Sequence, residues 1–101
     1  VGGIRPEGTA SDLAVALAVY SSYSGKKPPE MTIALGEIGL TGELRSIQHT
    51  DKIVREAARM GFKRIIMPEK NAERLRSQKD LSAKIQIIGV RRIYDALRLM
   101  S

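Results

Sequence analysis

The best candidates for catalytic residues in this sequence are one serine and one lysine. Ser11 lies at the expected start of one helix, and Lys52 lies in the first turn of another. A serine hydroxyl becomes a nucleophile when a neighbouring lysine is desolvated enough to be neutral and takes its proton. Serine and lysine are common at such places, so the residues alone leave a Ser-Lys peptidase dyad open without favouring it.

Few other residues are suited to catalysis or to metal binding. Glu37 and Glu43 flank a glycine-rich bend, and acid–base catalysis would need both acids in one cleft, whereas solvated surface acids are the simpler interpretation. His49 precedes a helix, where a capping-region residue is expected more often than a base. With one His and no Cys, the chain excludes disulfides, thiolate zinc sites and a multi-His metal site within one copy. The phosphate loop G-x-x-x-x-G-K-S/T is absent, so no ATP hydrolysis and no cofactor are predicted for these residues.

Positive charge is concentrated in the second half of the chain. The sequence carries 17 Lys+Arg and 11 Asp+Glu, for a net charge of +6. Residues 1–50 hold four basic and five acidic groups, whereas residues 51–101 hold thirteen and six, which makes the second half +7. A basic half favours phosphate backbones or acidic partners. A solvated surface would explain the same charge, and one Phe and three Tyr are few for a base-stacking platform.

The spacing of the basic residues is compatible with a DNA contact that does not read sequence. Lys52, Arg55 and Arg59 share one face of a predicted helix. Two more cations follow that helix, and a further two open the final helix, where the dipole disfavours cations and a partner would explain them. The predicted contact residues are Lys52, Arg55, Arg59, Lys63, Arg64, Arg91 and Arg92. The alternative is an ordinary solvated face in which Lys52 pairs with Glu56.

Hydrophobic patterning predicts one α/β domain over residues 1–101, with a layered mixed sheet and helices packed on it. The predicted order is β-α-β-β-α-β-α-β-α. Strands are expected at 1–5, 31–35, 44–47, 63–67 and 85–88, and helices at 9–24, 50–60, 69–78 and 90–100, with a bend at 36–43. The first helix is apolar on nearly all sides, so it is expected at the centre of the fold. No apolar run approaches the length of a membrane span and no signal segment opens the chain, so a cytoplasmic protein without a membrane partner is expected.

The glycine-rich stretch carries a family resemblance. Residues 36–44 are similar to the G-E-I/V-x-L-x-G-x-V/L signature of the Lon-type proteolytic domain, and the resemblance covers almost the whole chain. Within that superfamily the chain resembles the Lon-like C-terminal domains of the RadA (Sms) family of bacterial DNA repair and recombination proteins. The strings that carry this are V-G-G-I at 1–4, D-L-A-V-A-L-A at 12–18, G-E-I-G-L-T-G-E-L-R at 36–45 and R-E-A-A-R-M-G-F at 55–62. Thr9 departs from the pattern, which has Pro there.

The resemblance implies a protease fold without the protease. It assigns the nucleophile position to Ala10 and the catalytic lysine position to Ile53, and neither side chain can act in that role. Ser11 and Lys52 are one residue away, which on a helix turns a side chain by about 100°. The family further implies a ring-forming scaffold, as a hexamer, that contacts DNA. It also implies a longer protein whose own ATPase domain, outside these residues, binds ATP and magnesium. The alternatives are an active peptidase that uses Ser11 and Lys52, and an oligomerisation module with no DNA contact.

Overall fold

A parallel three-stranded sheet forms the middle of the fold in the computed structural model, which describes residues 8–101. Its strands are β1 (Thr32–Ala34), β4 (Arg64–Pro68) and β5 (Gln86–Val90), in the order β1-β4-β5. The strands β2 (Glu37–Ile38) and β3 (Leu44–Arg45) form a separate antiparallel hairpin. The predicted layered α/β class is therefore confirmed, with the antiparallel strands in a sheet of their own.

Helices cover both faces of the parallel sheet. They are α1 (Asp12–Ser24), α2 (Thr50–Arg59), α3 (Glu69–Arg76), α4 (Lys79–Ser82) and α5 (Ile93–Leu97). Side chains alternate along β4, so Ile65 and Met67 join the core on one face while Ile66 joins the core on the other. The first core includes buried residues of α2, α3 and α4, and the second includes buried residues of α1 and α5. Helices α1 and α2 therefore lie on opposite faces of the sheet.

The predicted central position of the first helix is wrong. Leu13 and Leu17 are buried, but Val15 and Val19 on the opposite side of α1 are 59% and 53% exposed. Because the run is apolar on nearly all sides, it does not indicate which side of the helix faces the core. Within the described residues, only the side with Leu13 and Leu17 is covered. Ser11 precedes α1, and its side chain makes no capping hydrogen bond to the helix. Asp12 instead accepts a hydrogen bond at 3.1 Å from the Ile38 amide, which ties the start of α1 to the β2–β3 hairpin.

A glycine follows the end of α2, close to the end predicted for this helix at residue 60. Gly61 has a left-handed φ of 96°, and its amide donates to the Ala58 carbonyl at 3.1 Å. The Phe62 amide donates to the Ala57 carbonyl, also at 3.1 Å. These two bonds close the helix in the manner typical of a C-terminal glycine.

Two predicted helices differ from the structure. The helix expected at 90–100 is limited to α5, because β5 continues to Val90 and pairs there with Pro68. The helix expected at 69–78 is α3, which ends at Arg76 because Gln78 has an extended conformation, and the short helix α4 that follows was not predicted. The strand predicted at 1–5 lies outside the described residues. Within residues 8–101, no helix is long and apolar enough to cross a membrane.

Candidate nucleic-acid interface

Helix α2 presents its basic residues to solvent because its apolar residues pack on the sheet. Val54 and Ala57 are fully buried, whereas Lys52, Arg55 and Arg59 are exposed, as the periodicity predicts. The three cations therefore lie on the outer face of a helix whose inner face belongs to the core.

A buried asparagine fixes the segment that leads into α2. Asn71 of α3 is fully buried, and its Oδ1 accepts a hydrogen bond from the Ile47 amide at 2.9 Å. Its Nδ2 donates to the Ile47 carbonyl at the same distance. The chain then turns at His49, whose φ of 61° is left-handed, and Thr50 begins the helix. The helix that carries the basic face is therefore fixed at both ends, by Asn71 before its start and by the Gly61 hydrogen bond at its end.

Two of the three cations on α2 have carboxylate partners. Arg55 Nη1 lies 3.1 Å from Asp80 Oδ2, and this hydrogen bond lowers the pKa of Asp80. Arg59 pairs with Glu56, with its Nε donating to Oε1 at 3.2 Å. The alternative pair between Lys52 and Glu56 is not formed in the described residues, and Glu56 pairs with Arg59 instead. Among residues 8–101, Lys52 has no ion pair.

Three cations surround an open groove between α2 and α4, which we call the α2–α4 groove. It has a volume of about 480 Å³ and is lined by Arg55, Ala58, Arg59, Leu81 and Lys84. Ala58 and Leu81 supply the apolar part of the lining, and the three long side chains supply positive charge. Lys84 was not among the predicted residues. The parallel pairing of β4 with β5 brings Lys84 to this edge of the sheet. Sequence patterning alone does not contain this pairing, so it could not identify Lys84.

Two further predicted cations lie at the edge of the sheet where β4 begins. Lys63 is exposed, and its carbonyl accepts the Gln86 amide at 2.9 Å, so Lys63 and the segment of Lys84 share this edge. Arg64 donates from Nη1 to the Glu30 carbonyl at 2.8 Å. Lys63 is therefore an exposed cation shortly after the end of α2, whereas the Arg64 side chain holds a neighbouring loop.

Arg91 and Arg92 lie at the opposite edge of the sheet, after the end of β5. The Arg92 guanidinium donates to the Thr41 carbonyl, and its amide donates to Asp95 Oδ2 at 3.2 Å. These contacts explain why an arginine precedes α5, so the partner invoked for it from the helix dipole is not required. Arg91 is exposed. The seven predicted cations thus fall into separate groups and do not form one patch.

The residues of the peptidase alternative are positioned by other contacts. The Ala10 carbonyl accepts the Gly36 amide at 2.7 Å, and Ser11 is half-buried beside it at the start of α1. Lys52 is exposed on α2, and Ile53 packs against the core on that face. No hydrogen bond joins Ser11 to Lys52 in the described part of the chain.

The two acids of the bend do not form a catalytic pair in the described residues. Thr41 donates to Glu43 Oε1 from its hydroxyl at 2.6 Å and from its amide at 3.1 Å. The hydroxyl bond is the main reason why the pKa of Glu43 falls to about 2. Glu43 also lies 3.6 Å from Arg45 Nε. Its carboxylate therefore closes the turn between β2 and β3, while Glu37 belongs to β2.

Comparisons with known proteins cover nearly the whole chain. A family model described as subunit ChlI of Mg-chelatase matches residues 2–71. The DNA repair protein RadA of Halalkalibacterium halodurans is 39% identical over 98 residues, which are 97% of this chain and 21% of that protein. RadA of Listeria monocytogenes is 41% identical over 97 residues, and RadA of Pseudomonas aeruginosa is 40% identical over 97; each match covers 96% of this chain and 20% of the relative. The chain thus spans about a fifth of the length of these relatives, and the resemblance to RadA is confirmed. Since the family model matches more than half of the chain, the chain belongs to the family that this model describes, and it is homologous to one segment of the DNA repair protein RadA.

Proposed function

We propose that this chain is the non-proteolytic, DNA-contacting domain of a RadA-type DNA repair protein, and that the basic face of α2 binds the DNA backbone. The observation that carries the proposal is the α2–α4 groove, where Arg55, Arg59 and Lys84 surround one open surface. Cations on a rigid element can neutralise phosphates without reading base edges, so binding would be independent of sequence and sensitive to salt.

The ion pairs on α2 are compatible with such a contact. The Arg55 and Asp80 side chains are 52% and 59% exposed, and those of Arg59 and Glu56 are 74% and 34% exposed. Exposed pairs of this kind contribute roughly 0.2–1 kcal/mol each. A phosphate can therefore replace the carboxylate at small cost, while the pairs keep the guanidinium groups close to the groove in the absence of DNA.

A matched pair of double variants tests this function. Arg55→Ala with Arg59→Ala removes two cations from the groove, and Lys70→Ala with Arg74→Ala removes two exposed cations from α3. Both double variants lower the net charge by the same amount. We expect only the first to weaken binding to duplex DNA, and to do so equally for two unrelated sequences. Equal weakening by both double variants would mean that overall charge alone attracts DNA and would contradict the assignment of the face.

The scaffold part of the proposal rests on the open side of α1. Val15, Val19 and Tyr23 follow one another at i, i+4 and i+8, and they are 59%, 53% and 91% exposed. An apolar stripe of this kind is suited to contact with another copy of the chain. We propose a hexameric ring in the cytoplasm, joined to an ATPase domain that binds ATP and magnesium elsewhere in the full protein. Val15→Lys with Val19→Lys should lower the molecular mass measured in solution by light scattering; an unchanged mass would place the interface elsewhere.

A further inference from the structure

A second groove lies between α1 and α5, on the face of the sheet opposite to α2. It has a volume of about 410 Å³ and is lined by Tyr20, Lys26, Tyr94, Leu97, Arg98 and Met100. Two of the three tyrosines of the chain line this surface, although they are far apart in sequence. We call it the tyrosine groove.

Backbone hydrogen bonds hold the two walls of the tyrosine groove together. The Lys27 amide donates to the Ser101 carbonyl at 2.9 Å, and the Ser101 amide donates to the Lys27 carbonyl at 3.0 Å. Gly25 ends α1 with a left-handed φ of 76° and donates to the Ser21 carbonyl at 2.9 Å. The loop that carries Lys26 is therefore fixed to the chain segment that follows α5, so the groove exists before any ligand arrives.

The lining combines aromatic rings with exposed cations. Tyr94 is 63% exposed, and the Arg98 side chain is 81% exposed. Lys26 is exposed at the other end of the groove. The carboxylate beside Arg98 belongs to Asp95, at 3.9 Å, and it also accepts the amide of Arg92. The groove thus offers positive charge for phosphates and an exposed aromatic ring, whose faces are poorly solvated by water.

We infer that the tyrosine groove binds single-stranded nucleic acid, with a base stacked on Tyr94 and with the backbone phosphates beside Lys26 and Arg98. Stacking platforms flanked by cations are the usual means of binding unpaired strands. A duplex keeps its bases stacked on one another, so their faces are not available to a tyrosine. An acidic peptide would satisfy the cations but would leave the exposed ring without a partner. The inference goes beyond the proposed function, because this groove and the basic face of α2 lie on opposite sides of the sheet.

The test compares two substitutions of Tyr94 with a labelled homothymidine strand and fluorescence anisotropy. Tyr94→Ala removes the ring and should weaken binding about fivefold or more, the range seen when a stacking aromatic is removed. Tyr94→Phe keeps the ring and should bind like the parent. On a strand of the same length without bases, Tyr94→Ala and the parent should bind alike, because only phosphates remain. Since Tyr94 is exposed, both variants should keep the thermal unfolding midpoint of the parent.

A second pair of variants examines the phosphate contacts. Lys26→Ala with Arg98→Ala should weaken binding to the homothymidine strand and to the strand without bases by the same factor. Neither this double variant nor Tyr94→Ala should change duplex binding that depends on Arg55 and Arg59. The two proposals can therefore fail separately. If the α2 proposal is wrong, Arg55→Ala with Arg59→Ala will leave duplex binding unchanged, while Tyr94→Ala will still weaken binding to the homothymidine strand.

Three results would overturn the inference. Parent-like binding of the homothymidine strand by Tyr94→Ala would show that no base stacks there. An equal loss for Tyr94→Ala on the strand without bases would show that the ring does not contact a base. Displacement of the strand by polyglutamate as effectively as by unlabelled strand would identify an acidic-peptide site instead.

Discussion

The strongest stability prediction concerns the buried asparagine that holds α2 in place. Asn71→Ala removes two hydrogen bonds, since the amide and the carbonyl of Ile47 each bond to the Asn71 side chain at 2.9 Å. A buried polar group left without a partner costs about 1–3 kcal/mol, and Ile47 is only half-buried, which lets water recover part of this. For two such groups we expect the free energy of unfolding to fall by about 2–4 kcal/mol. That is a large part of the stability of about 5–15 kcal/mol of an ordinary domain.

Chemical denaturation measures this effect directly. Unfolding in urea, followed by far-ultraviolet circular dichroism, gives the midpoint and slope for Asn71→Ala and for Lys70→Ala, its exposed neighbour on α3. The Lys70 variant should stay within about 0.5 kcal/mol of the parent. If both variants unfold at the same urea concentration, the two bonds to Ile47 do not stabilise the start of α2, and the reasoning is refuted.

Three further predictions concern the core, the peptidase alternative and the effect of pH. Leu17→Asp should abolish the cooperative thermal transition, because an unpaired carboxylate in a site that is 5% exposed costs several kcal/mol; a soluble variant that melts cooperatively would contradict this. Casein should survive long incubation with the chain, and cleavage that disappears in Ser11→Ala would establish the peptidase instead. The pKa of Glu43 is lowered from 4.5 to about 2 by its Thr41 hydrogen bond, so its contribution to stability is complete above pH 4.5 and is lost as the pH falls towards 2. Urea midpoints measured across this range should therefore depend less on pH for Glu43→Gln than for the parent.

Local patterns in the sequence predicted those elements whose boundaries depend on local chemistry. The period of α2 separates Val54 and Ala57 from Arg55 and Arg59, and Gly61 supplies the left-handed residue that ends the helix. Both signals lie within a few residues of the structure that they specify. For this reason the basic face of α2 was predicted correctly from the sequence.

Other features depend on contacts between distant segments, which a local pattern does not contain. The apolar run of α1 could not show that Val15 and Val19 face outward, because both faces of that helix are apolar in sequence. The last helix begins late because Val90 extends a strand that pairs with Pro68. Lys84 joins the α2–α4 groove only through the pairing of β4 with β5.

The tyrosine groove is the clearest case of a long-range feature. Three tyrosines and one phenylalanine in the sequence are few for a base-stacking platform. Composition counts such residues without regard to position, and the fold brings Tyr20 and Tyr94 to a single groove. A small number of aromatic residues is sufficient when the fold places them together.

The salt dependence of duplex binding is the measurement that tests the central claim most directly. Each phosphate contact contributes about 0.9 to the slope of log affinity against log salt. Arg55→Ala with Arg59→Ala should therefore reduce the magnitude of this slope by about two relative to the parent. Glu56→Gln with Asp80→Asn frees the same two arginines and should strengthen binding. A slope that stays at the parent value in the alanine double variant would show that the basic face of α2 does not bind DNA.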